Sequence, residues 1–246
     1  KGPAKPLGVK AIASRPERMA DEKLEQAIAT LNQLIETTDE EDPGKPEYYA
    51  RLARLYWDKA ENFFNKAYGN EMFGKLKAAQ DAGDETAIAS VQAEQNDLLK
   101  QRQNWQEETA NAYMMVVDRY PNYLNLDHVL YLLGFTLVQM DRQDQAFPYF
   151  ARVIREAPNS KYVPDALLNI GEFYFNSGRM DEAEKMYSEV ENFPVSSAYG
   201  LAIYKKGWCF YNMGRHEEAM NQFLKVIDYA KGDQAKSIGY GTQLLR

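Results

Sequence analysis

Along residues 127–231 small, aromatic and branched positions return at a fixed offset between polar turns. Gly134, Gly171 and Gly207 stand 37 and 36 residues apart. Twelve residues after each comes an alanine (Ala146, Ala183, Ala219), four further on an aromatic (Phe150, Tyr187, Phe223), and three beyond that a valine (Val153, Val190, Val226). Pro158 and Pro194 close two of the copies. Offsets of i, i+4 and i+7 put the alanine, the ring and the valine on one stripe of a helix. The glycine and the alanine let two antiparallel helices approach closely, while MDRQDQ, SGRMDE and MGRHEE each supply a helix stop and the next start. The pattern predicts three helical hairpins. None can bury its apolar face alone, so neighbours stack into a solenoid.

Upstream the same pattern is interrupted. Tyr49, Leu52, Ala53 and Tyr56 carry the first-helix spacing, but the second-helix positions Ala110, Met114, Val117 and Pro121 begin 57 residues after Ala53, where about 12 are expected. About 45 residues are inserted into the turn. A half copy, Ala27, Leu31 and Leu34, precedes it and ends at the EDPGKP breaker at 41–46. The insert is itself helical: Ile88, Val91, Gln95, Leu98, Arg102, Trp105, Thr109, Ala112 and Val116 alternate three and four residues, the rhythm of a coiled coil. Tyr49, Leu52, Tyr56, Ala60, Phe63 and Ala67 oppose them at the same rhythm, and DAGD at 81–84 turns the chain. Each helix gains about 22 residues, or about 33 Å. Such an arm either packs back on its own repeats or projects as a contact device; its length and the polar Gln95 and Arg102 in its seam favour projection.

The expected fold class is therefore all-α, a solenoid of antiparallel helical hairpins with one long inserted helical hairpin arm. Residues 1–15 are expected as a flexible N-terminal segment, 16–126 as the N-terminal helices and the split repeat with its arm, and 127–231 as three repeats. Residues 232–246 are expected to start a further helix. The chain opens on Lys1 rather than methionine and closes on SIGYGTQLLR, so it reads as a piece of a longer protein.

Composition narrows the functions. A net charge of −7 over 246 residues argues against nucleic acid or an anionic membrane surface as partner. The single cysteine, Cys209, excludes an internal disulfide and a cysteine metal site; beside Trp208 and Phe210, with no basic neighbour, it reads as a buried small hydrophobe rather than a nucleophile. No apolar run approaches the ~18–20 residues of a membrane helix. There are two histidines. HEEAM at 216–220 opens like a zinc-protease motif, but Met220 stands where the second ligand belongs, and His216 reads as a solvated turn residue. His128 opens a first helix and reads as a groove or surface residue. Adjacent acids such as Glu40–Glu41 and Glu217–Glu218 splay on a helix and read as solvated faces. No phosphate-binding or nucleophile-elbow glycine motif occurs. The reading is of no enzyme: no catalytic residue, no metal, no cofactor.

The Gly134, Ala146, Phe150 and Pro158 positions and their partners resemble the tetratricopeptide repeat (TPR). Leu130, Leu167 and Ile203 match its large fourth position, and Leu137, Tyr174 and Phe210 its frequent tyrosine. The resemblance implies a concave groove lined by first helices. Carried over, its positions are His128, Tyr131, Phe135, Val138 and Gln139 in the first repeat, Asp165, Leu168, Glu172, Phe175 and Asn176 in the second, and Leu201, Tyr204, Trp208, Tyr211 and Asn212 in the third, with Tyr131, Phe135, Glu172, Phe175, Asn176, Tyr204, Trp208, Tyr211 and Asn212 as the expected contacts. It implies a peptide-binding groove at these residues and protein partners, with no nucleic acid and no membrane insertion. A carboxylate clamp of the chaperone-tail type is missing, since Lys205 is the one candidate cation.

The phrasing of 127–231, a proline, a serine and then a tyrosine before the next helix (Pro158–Tyr162, Pro194–Tyr199), is similar to bacterial envelope TPR proteins. These are the barrel-assembly lipoprotein, the Tol-associated periplasmic protein and the gliding-motility TPR proteins. That implies a non-enzymatic scaffold of a cell-envelope complex, in the periplasm or on the outer membrane facing it. The alternative is a regulatory TPR domain attached to a catalytic domain elsewhere in a longer chain.

Overall fold

The structure, a computed structural model, describes residues 16–232, and the regular elements among them are all helices. The expectations for 1–15 and for the stretch after Gly232 lie outside the described residues. The chain divides between Tyr123 and Leu124 into two compact units.

The first unit holds α1 (Pro16–Thr37), α2 (Lys45–Tyr68), α3 (Asn70–Asp81) and α4 (Glu85–Arg119). α4 is unbroken over 35 residues, and along its predicted seam Thr109, Ala112 and Val116 are buried and Ile88, Val91, Gln95, Leu98, Arg102 and Trp105 half-buried. Leu52, Ala60 and Ala67 answer from α2. The outgoing side of the arm is two helices, not one. Gly69 leaves α2 in extended backbone and starts α3, and a Cβ there would stand 2.6 Å from the Asn65 carbonyl oxygen. The buried positions then run Ala67, Met72, Leu76, Ala79, a five-residue step before the four-three rhythm resumes. Gln95, expected as a soft spot in the seam, lies opposite that break. Its Nε2 donates to the Ala67 carbonyl at 2.9 Å, one of the acceptors that the end of α2 leaves without a helical donor. Arg102 lies 4.5 Å from the Phe64 ring and 3.5 Å from Glu61.

α1 runs along α2 as far as Lys66, which pairs with Asp21 at 2.8 Å, while Lys59 pairs with Glu25. The base of the arm is thus covered by the half copy before it, an arrangement that neither reading of the arm contained. The turn between α1 and α2 is fixed by Lys45, buried to 4% exposure, whose Nζ donates to the Thr38 carbonyl at 2.7 Å and to Glu40 at 2.9 Å.

The second unit is the three predicted hairpins: α5 (Leu126–Gln139) with α6 (Gln143–Glu156), α7 (Val163–Asn176) with α8 (Met180–Val190), and α9 (Ala198–Asn212) with α10 (His216–Lys231). The glycine marker has a steric cause. A Cβ on Gly134, Gly171 or Gly207 would meet the ring of Phe150, Tyr187 or Phe223 at 2.7, 2.5 and 2.7 Å. In each hairpin the ring of the second helix lies flat against bare backbone of the first. The stripe beneath is closed: Ala146, Ala183 and Ala219 are at most 2% exposed, and Val153, Val190 and Val226 at most 3%. The turns repeat as well, since the N–H of Arg142, Arg179 and Arg215 donates to the carbonyl five residues back at 2.9 Å. The residue before the arginine at φ near +60 to +76° is Gly178 or Gly214 in two copies and Asp141 in the third. Hairpin stacks on hairpin, α7 against α6 and α9 against α8.

Candidate functional site

The first helices α5, α7 and α9 carry the nine groove positions. The structure gathers them into two aromatic groups with a polar tie between. In the first group Tyr131 stacks on Tyr162 at 5.1 Å and lies 6.4 Å from Phe135 and 6.0 Å from Phe150; His128 stacks on the other part of Tyr162 at 4.8 Å. Tyr162 caps α7, so these rings bridge one hairpin to the next. In the second group Trp208 stands edge-on to Tyr204 at 6.1 Å, to Tyr211 at 5.5 Å and to Phe223 at 5.5 Å. Edge-to-face contacts of this kind suit the ring quadrupoles. Trp208 remains 37% exposed and Tyr211 52%, a large apolar surface held in fixed orientation.

Glu172 is the tie. One of its oxygens accepts from Tyr187 Oη at 2.7 Å and the other from Lys205 Nζ at 2.6 Å, and that ammonium lies 5.3 Å from the Phe175 ring. The lone candidate cation of the groove is therefore matched by a carboxylate from the neighbouring repeat. Asn212 Nδ2 reaches only Met180 Sδ, at 3.8 Å, and Asn176 is exposed with no bond to another described residue. Burial raises the Asp165 carboxyl above its ordinary value. Cys209 is fully buried, and burial pushes its thiol up to about 12, so it is no nucleophile at neutral pH. His216, expected in the turn, instead opens α10; it is exposed, its ring 5.4 Å from Tyr211.

Sequence reasoning did not foresee a cleft between α5 and α7. It is lined by Val138 of α5, by Gln143, Ala146, Phe147 and Phe150 of α6, and by Asn169, Ile170, Glu172, Phe173 and Asn176 of α7. A second opening lies on α9 and α10, between Tyr211, His216, Met220, Leu224 and Ile227.

Family models for the tetratricopeptide repeat match residues 137–199 and 201–232. The matched stretches resemble tetratricopeptide repeats, and the helices stack in the same TPR-like way. The glycine–ring contact, the left-handed turn and the matched stretch agree on one TPR unit per hairpin. Solved structures similar to the chain include YrrB, a TPR protein with an unusual peptide-binding site, at 21% identity over 84% of this chain and 96% of that one, TM-score 0.42. Others are a tetratricopeptide repeat protein from Parabacteroides merdae, at 14% identity over 93% and 85%, TM-score 0.38, and the apo quorum sensor NprR from B. thuringiensis, at 15% over 93% and 65%, TM-score 0.45. No curated protein sequence matches the chain. A TPR domain is in general a scaffold that binds peptides or proteins and is typically non-catalytic. No helix among the described residues is long and apolar enough to cross a membrane.

Proposed function

We propose that the chain is a protein-interaction scaffold of a bacterial cell-envelope complex, holding an extended or helical segment of its partner in the groove of α5, α7 and α9. The observation that carries the groove is the exposed Trp208–Tyr211 pair braced edge-on by Tyr204 and Phe223. Rings fixed before the partner arrives lose little entropy on binding, and aromatic anchors commonly dominate interface energy. The envelope placement, periplasmic or on the outer membrane facing the periplasm, is supported by the proline–serine–tyrosine phrasing of 127–231 alone.

Capture of partners from separated membrane and soluble fractions tests both parts. Tyr204→Ala with Trp208→Ala is expected to abolish capture while leaving the helical circular dichroism nearly intact, each true anchor costing about 2 kcal/mol or more. Undiminished capture moves the interface to the arm or the opposite face. Partners drawn only from the soluble cytosolic fraction refute the envelope placement.

A further inference from the structure

We propose that the cleft between α5 and α7 is a side-chain pocket that takes one uncharged apolar side chain of the partner segment, of leucine or phenylalanine size. The proposal rests on the groove reading above and gives that groove a point of selectivity. The cleft holds about 170 Å³. An apolar cavity of about 150 Å³ is enough for a benzene ring. Phe147, Phe150, Phe173, Val138 and Ile170 line it, so an entering side chain replaces water against apolar surface.

The repeat register shows why the space exists. Counted from each marker glycine, Val138, Gln143 and Asn169 correspond to Phe175, Met180 and Lys205 at the next junction. There the longer side chains fill the same place. Lys205 crosses to Glu172 at 2.6 Å and lies over Phe175, and Met180 meets Asn212 at 3.8 Å. At the α5–α7 junction Val138 and Asn169 are shorter than Phe175 and Lys205, and the cleft remains there. The opening on α9 and α10 falls at the same offsets, Tyr211, His216, Ala219, Met220 and Phe223 answering Val138, Gln143, Ala146, Phe147 and Phe150. Openings at these offsets thus occur in two of the three repeats.

Charge sets the ligand class. The one carboxylate at the mouth, Glu172, already accepts from Lys205 and Tyr187, which leaves no unpaired charge at the mouth to hold a lysine or an acid. Asn169 donates to the Asp165 carbonyl at 2.8 Å and keeps its own oxygen as an acceptor, and Asn176 stands free beside it. The two carboxamides can bond the main chain on either side of the inserted residue.

Methyl-detected NMR of the 246-residue chain tests this with N-acetyl-leucinamide and N-acetyl-phenylalaninamide as probes, and N-acetyl-glycinamide and N-acetyl-lysinamide as controls. The first two are expected to shift the Val138 and Ile170 methyls saturably, and the controls to leave them unmoved. Val138→Phe with Asn169→Lys copies the filled junction. It should remove the Ile170 response and weaken capture of the natural partner at least tenfold, with circular dichroism unchanged. Equal shifts from all four amides, or saturable shifts that survive in the filled variant, overturn the pocket. If the pocket fails while Tyr204→Ala with Trp208→Ala still abolishes capture, the groove stands without it; if neither variant affects capture, the groove itself is wrong.

Discussion

The arm hairpin of α2, α3 and α4 and the repeat hairpins of α5 to α10 are both antiparallel helix pairs, yet they are closed by opposite means. In the repeats one bare glycine backbone receives one large ring, and the contact recurs with 36- or 37-residue spacing. In the arm no ring meets a glycine. The helices mesh through residues of all sizes, from Ala60 to the Tyr56–Trp105 ring pair, at alternating three- and four-residue steps, and the mesh absorbs a five-residue slip at Gly69. A contact concentrated in a single ring tolerates no added atom. A contact spread along a seam tolerates a break, provided that the carbonyls freed there find a donor, as Ala67 finds Gln95.

Alanine at a helix glycine separates the two designs most sharply. Helix propensity alone favours the change by about 1 kcal/mol. At Gly171 the new Cβ would stand 2.5 Å from Tyr187 Cε1, under a ring that is fully buried and bonded through its hydroxyl to Glu172. Overpacking outweighs propensity, so Gly171→Ala is expected to lose about 2 kcal/mol. At Gly74, in α3, nothing lies within 4 Å of an added Cβ, and Gly74→Ala should gain about 0.5–1 kcal/mol. Urea unfolding of the two variants with unchanged m-values checks both signs. Equal effects would mean that the marker glycine is not a steric requirement.

The same contrast explains what the sequence disclosed. A ring that demands a glycine 16 residues earlier leaves a mark in both places, so the hairpins of 127–231, their turns and their buried stripes were all legible. The arm's seam was legible for as long as its period held. Its break was not, because Tyr68–Gly69–Asn70 sits inside a pattern whose apolar steps continue on both sides, and a lone glycine in a helical pattern is usually tolerated. The groove rings could be placed on the right helices. Their engagement could not be foreseen: the pairing of Glu172 with Lys205 and the stacking of Tyr131 on Tyr162 each join residues 31 or 33 apart on different hairpins. The cleft at Val138 was harder still, being a matter of two side chains, Val138 and Asn169, shorter than their counterparts one repeat on.

Gln95→Ala tests whether the arm's break depends on its cap. The variant leaves the Ala67 carbonyl without its 2.9 Å donor beside a half-buried seam, an expected loss of about 1 kcal/mol. Hydrogen exchange should locate that loss in amides near Tyr68–Phe73 and leave 127–231 unchanged. Uniform loss of protection would show the arm to be as unforgiving as a repeat.

The repeats also carry a charge tie in which one carboxylate meets two ammoniums, where the arm's Arg102 meets a single one, Glu61. Burial pushes the Glu191 carboxyl up, but Lys225 and Lys206 outweigh it and hold the group below its ordinary 4.5. Because the folded value is the lower one, the tie stabilises above about pH 4.5 and is lost as the pH falls through the folded value. Glu191→Gln is therefore expected to cost somewhat under 1 kcal/mol at pH 7, with Lys225 partly exposed and screened. The difference from the parent should shrink steadily as the pH falls below 4.5. A gap in melting temperature that persists at acid pH would assign the cost to shape rather than charge.

The smallest expected effect lies in the turns, where the repeats differ from one another. Gly178 and Gly214 take φ of +74° and +76° without penalty, whereas the first repeat places Asp141 at +60°. Left-handed backbone costs an L-residue about 1 kcal/mol, less for aspartate, whose short side chain finds local partners. Here that partner is Gln143, whose Nε2 donates to Asp141 Oδ1 at 3.0 Å on an exposed turn, a bond of small worth. Removing the Cβ should gain more than losing that bond costs, while the loosened unfolded chain takes back part of the gain. Asp141→Gly is accordingly expected to stabilise by about 0.3–0.5 kcal/mol, read as a small upward shift in the urea midpoint at constant m. A loss of stability would show that Asp141 holds the entrance of α6 through its side chain, and that the first repeat solves its turn by hydrogen bonding where the other two use backbone freedom.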